Sequence, residues 1–74
     1  MWSFAMRKER VSATQLADMI ASKIGANGVE VSVRKDHAYG WQPTIVAAPS
    51  DVIGFQRRAD EIAHRLRVRF DLHD

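Results

Sequence analysis

Arg58, Arg65 and Arg69 are the residues whose type and spacing first suggest chemistry. On one helix, with about 3.6 residues per turn and about 1.5 Å of rise, they share a wedge about 40° wide and about 16 Å long. A planar guanidinium offers paired N–H donors to a phosphate, so a row at that pitch suits a nucleic-acid backbone. Arg also outnumbers Lys eight to three, which favours planar contacts over diffuse charge. The same row has a structural reading, and we favour it. Arg57, Glu61 and Arg65 follow one another at the four-residue spacing of ion pairs along a solvated helix face. Arginines flanking an apolar stripe also lay their methylene stems over the edge of a core.

The segment Asp36-His37-Ala38-Tyr39-Gly40-Trp41, with Arg34 and Lys35 before it, is the densest cluster of functional side chains. Aromatic rings beside cations at a loop tip can stack on bases or seat a partner peptide. Packing competes with that reading, because Trp41 opens a strand and can cover the end of a small core while Tyr39 shields the turn. The candidate binding surface is therefore Arg34, Lys35, His37, Tyr39, Trp41, Arg58, Arg65 and Arg69.

Catalysis and metal chemistry find little support. His37, His64 and His73 are far apart, with neither HxxxH nor HxH spacing. Asp60 and His64 are spaced to orient an imidazole, but no nucleophile is marked beside them, and an exposed helix pair explains both. The end Asp71-Leu72-His73-Asp74 holds metal-binding groups on a segment that is expected to fray. Cysteine is absent, which excludes disulfides, a thiol nucleophile and thiolate metal sites. The stretch Gly25-Ala26-Asn27-Gly28 is similar in spacing to the GxxG loop of RNA-binding KH modules. It lacks a basic residue between the glycines and leads into an alternating strand, so it reads as a helix cap and a turn. The chain is read as non-enzymatic, with no cofactor and no metal.

The bulk composition agrees. At 74 residues, 46% hydrophobic and 27% charged, the chain is ordinary for one small globular domain. A chain of this size hides only about 60% of its unfolded surface, so its core must be lean. Its longest apolar run, residues 44–49, is far below the roughly 20 residues that span a bilayer, and residues 1–6 do not read as a secretory signal. A cytoplasmic location is expected. The net charge of +2 is too small to argue for nucleic acid by itself. It is unevenly placed, however: residues 56–70 carry five arginines against Asp60 and Glu61, a local surplus of +3.

The elements that must position these groups follow from patterning. Residues 1–10 carry no period and read as a mobile N-terminal tail, leaving 11–74 as the domain. Ser12 and Gln15 form a capping box, and Val11 and Leu16 are spaced for a hydrophobic staple. Apolar residues at 13, 16, 17, 20 and 24 then predict a helix over 13–24, closed by Gly25. Val29, Val31 and Val33 alternate with polar residues and predict a strand, followed by a five-residue loop, 36–40, and a second strand over 41–48. Pro43 marks that second strand as an edge, and Ser50-Asp51 supply an N-cap. The last stripe, through Val52, Phe55, Ala59, Ile62, Leu66 and Phe70, predicts a helix to about residue 70. Leu66, Val68, Phe70 and Leu72 also alternate, so a strand over 66–72 is the rival.

The predicted fold is thus a small two-layer α+β domain of order α-β-β-α, with two helices on one face of an antiparallel hairpin. The alternative is α-β-β-α-β, with residues 66–72 as a third strand. Its expected core is Leu16, Ile20, Ile24, Val29, Val31, Val33, Ile45, Phe55, Ile62 and Leu66. Because a two-stranded ribbon is a poor sheet alone, the first strand is expected to pair with its copy across a two-fold axis. The function expected is a non-catalytic binding or interaction domain, homodimeric through its sheet edge, with a protein partner and no membrane association. A nucleic-acid-binding domain using the arginine row is the alternative.

Overall fold

The computed structural model of the chain describes residues 8–73. Its elements run in the order β1 (Glu9–Val11), α1 (Ala13–Ile24), β2 (Glu30–Asp36), β3 (Gly40–Ala47), α2 (Val52–Leu66) and β4 (Phe70–Leu72). This is the expected α+β class with a small antiparallel hairpin, to which two short strands are added.

Helix α1 forms where its ends are satisfied locally. Ser12 Oγ accepts from the Gln15 N–H at 3.0 Å, and the Gln15 side chain accepts from the Ser12 N–H at 2.9 Å. The staple residues Val11 and Leu16 are both buried. Gly25 closes the helix at φ 69°, donating its N–H to the Ala21 carbonyl.

The hairpin turn is held by Asp36, whose Oδ2 accepts from the N–H groups of Ala38 and Tyr39 at 3.0 and 2.8 Å. Gly40 re-enters the ladder at φ 87°, a conformation that a Cβ disfavours. Val33 lies opposite Pro43 and Lys35 opposite Trp41, and Val33, Trp41, Pro43 and Ile45 are buried on one face. Arg34, Gln42 and Thr44 occupy the exposed face. Glu30 pairs with Ala47 while Val31 pairs with Ile45, so Val46 is the extra residue of a bulge and is 62% exposed.

Asp51 caps α2 from a left-handed conformation, φ 41°, and its carboxylate accepts from the Gly54 N–H at 3.1 Å. A Cβ at Gly54 would collide with that carboxylate, so glycine is what lets the cap close. The helix ends at Leu66, not near residue 70 as the stripe predicts. Arg67 donates its N–H to the Ala63 carbonyl, and Val68 and Arg69 donate to Arg65 and Leu66, tightening the last turn without Gly or Pro. The chain then enters β4, so a strand does form inside the 66–72 segment, over 70–72.

That strand does not join the hairpin as a third strand. β4 runs parallel to β1, with Glu9 opposite Phe70 and Val11 opposite Leu72, and does not lie beside β2. The Glu9 N–H donates to the Arg69 carbonyl at 2.9 Å and the His73 N–H to the Val11 carbonyl at 2.6 Å. Residues 9 and 10 are therefore strand and not tail. The expected mobility of residues 1–7 lies outside the described residues.

Helix α1 lies over β2, α2 lies over β3, and the two helices pack on each other. Their apolar faces meet in a core of Leu16, Ile20, Ile24, Val33, Ile45 and Leu66, joined by Val11, Trp41, Ala59 and Ala63. Ala59 and Ala63 are fully enclosed, and their small side chains let α2 sit close to its neighbours. Val29, Val31, Phe55 and Ile62, expected in the core, are partly buried and pack against it.

Candidate functional site

The hairpin end is bound into the fold by its own aromatic residues. Trp41 is 1% exposed, and its Nε1 donates to the Phe70 carbonyl at 3.2 Å. Its burial removes it from the candidate surface and makes it the link between β3 and β4. The Arg67 guanidinium lies 5.0 Å from the Tyr39 ring centre and 5.2 Å from that of Trp41, and its Nε donates to the Trp41 carbonyl at 2.9 Å. Arg67 did not stand out in the sequence, because its partners are 26 and more residues away along the chain. Arg34, Lys35 and His37 remain exposed along β2 and the turn.

The helical arginines regroup around the seam between the helices. Arg58 Nη2 donates to the Ile24 carbonyl at 3.3 Å, placing a cation at the negative end of α1. Arg58, Arg65, Lys23, Glu61 and Ile62 line an open cleft of about 400 Å³. An adjoining cleft of about 200 Å³ is lined by Lys23, Arg65, Ile62, Leu66 and Arg69. Arg69 has left the helix and lies over Phe70, 5.6 Å from its ring centre. Neither cleft includes a residue of the hairpin tip, so the eight candidate residues fall into two separate groups.

The ion pairs that supported the structural reading of the row do not form. Among the described residues, the pair that closes is Lys8–Asp71 at 3.7 Å, half exposed, and Glu61 is paired with neither Arg57 nor Arg65. Asp60 does not meet His64 but accepts from Gln56 Nε2 at 3.0 Å. No group of three metal-ligating side chains occurs among the described residues, and no helix there is long and apolar enough to cross a membrane.

The two edges of the hairpin differ sharply. On β3 the outward groups are engaged by α2: the Gln56 carboxamide accepts from the Ile45 N–H at 2.8 Å and donates to the Pro43 carbonyl at 3.0 Å. Arg67 takes the Trp41 carbonyl next along the same edge. Gln56 thus imitates a paired strand, and Pro43 sits where no N–H is needed. Across the ladder from these residues, Val31 and Val33 turn their N–H and C=O groups to the outer edge of β2. Among the described residues those groups have no partner.

Comparison with protein-family models, with curated proteins and with solved structures finds no match to this chain.

Proposed function

We propose that the chain is a small non-catalytic binding domain that associates with a second copy of itself through the outer edge of β2. The contrast between the hairpin edges carries this reading: one is closed by Gln56 and Arg67, and the other offers unpaired backbone groups at Val31 and Val33. A strand edge left open in this way is a template for antiparallel pairing. Two hairpins joined there form a four-stranded sheet, which a lone ribbon needs for stability.

Charge selects the register. With Ser32 opposite Ser32 of the second copy, Val31 meets Val33 of that copy on the apolar face. On the wet face the exposed Glu30 meets Arg34 of that copy, twice by symmetry. These lie at the non-hydrogen-bonded positions, where Cα atoms approach to about 4.5 Å and side chains are closest. Sliding one strand by two residues sets Glu30 opposite Asp36, and by four sets Arg34 opposite itself, both like-charge arrangements. Sliding the other way shortens the ladder and parts Glu30 from Arg34.

Sedimentation equilibrium from low to high micromolar protein tests the reading, with a dimer expected at the upper end. Glu30→Arg is expected to return a monomer, and adding Arg34→Glu to restore the dimer with the charges exchanged. A strict monomer at high micromolar concentration overturns the proposal, and a dimer indifferent to both variants overturns the register. We further propose a cytoplasmic location, which fractionation of cells expressing the full chain checks directly.

A further inference from the structure

Lys23 on α1 and Arg58, Arg65 and Arg69 on and after α2 converge on one furrow between the helices, with Ile62 at its floor. Four cations face a single carboxylate, Glu61, leaving +3 there in a chain whose total is +2. The rest of the molecule is therefore slightly acidic, and the positive field is centred on the furrow. None of the four cations is neutralised by an ion pair among the described residues. We propose that this furrow binds the phosphodiester backbone of a single nucleic-acid strand.

The shape supports a linear anion. The larger cleft is open, and Arg58 and Arg65 stand about 10 Å apart along α2, so successive charges of a strand can be met in turn. A strand carries a charge on every repeat with flat base surface between, which suits cationic walls over a partly exposed isoleucine. The furrow holds no projecting element that could enter a duplex major groove about 12 Å wide. Arg58 is held in place by the Ile24 carbonyl, and Arg69 by its stacking on Phe70. Both keep further N–H donors for phosphate, since a guanidinium has five. The site lies on the α1/α2 seam and needs neither the β2 edge nor a second copy.

Fluorescence anisotropy of a labelled mixed-sequence oligonucleotide tests this, as single-stranded DNA, the same sequence in RNA, and a duplex. Saturable binding is expected for both single strands, tighter than for the duplex. The log–log salt slope between about 50 and 200 mM should be about −2 to −3, from three or four contacts at roughly 0.7 each. Lys23→Ala/Arg65→Ala is expected to weaken binding about tenfold or more and to flatten that slope by about 1.4. Neither of those side chains is buried, and circular dichroism confirms that the variant is folded. Glu61→Gln is expected to tighten binding, a gain that misfolding cannot imitate. No saturable binding at low salt overturns the proposal. So does a double variant that binds like the parent, or equal affinity for a poly-glutamate of matching length.

Discussion

Arg67 shows how much one side chain can contribute in a chain this short. It closes α2, spans the rings of Tyr39 and Trp41, and ties the Trp41 carbonyl with its Nε. The contact needs a planar fork, so lysine is a poor substitute. Arg67→Lys is expected to cost about 1–2 kcal/mol, the sum of a hydrogen bond and a partly desolvated cation–π contact. Urea denaturation followed by circular dichroism measures it, and an unchanged midpoint would show that the stacking is incidental. At this scale the sequence was a partial guide. It marked Tyr39 and Trp41 as worth weighing between packing and binding, but nothing near Arg67 in the chain distinguished it from Arg65 or Arg69.

At the scale of elements, local signals and distant ones part company. Helix α1 was legible at both ends because the Ser12/Gln15 box and Gly25 act within a few residues. The end of α2 was not legible, because its last turn is tightened by backbone bonds that no residue type announces. What draws residues 70–72 out of helix is β1 and the Trp41 side chain, both far away in sequence. Gln56 acts at the same scale, since its carboxamide stands in for a strand along β3. Gln56→Ala is expected to destabilise by about 1–3 kcal/mol, as two backbone groups lose their partner. It also opens a second edge, so light scattering should find species larger than a dimer as concentration rises.

At the scale of the whole molecule, the ten buried hydrophobic residues among those described must offset the ordering of the chain. Ile20 is fully buried in α1. Ile20→Ala is expected to cost about 2–5 kcal/mol, which approaches the entire stability of a domain this small. A thermal melt by circular dichroism should show a variant largely unfolded at room temperature. A midpoint within a degree or two of the parent would mean that the core lies elsewhere. The two proposed surfaces occupy different parts of this body: the β2 edge for a second copy, and the helical seam for a strand. Glu30→Arg should therefore abolish self-association and leave strand binding intact.

By itself the sequence determined the α+β class, the hairpin, the boundaries of α1, the cap of α2 and most of the core. Each depends on periodicity or on groups a few residues apart, and such interactions are nearly independent of the rest of the fold. Only the tertiary structure decided that β1 and β4 pair, that Trp41 belongs to the core, and that Lys23 joins the arginines. It also decided that the edge of β3 is closed while that of β2 is open. Those outcomes depend on contacts between residues up to sixty-three apart in the chain, such as Lys8 and Asp71 beside the β1–β4 ladder. A strand of three residues has too little pattern to announce itself, and a hydrogen bond to a distant carbonyl leaves no mark on residue type.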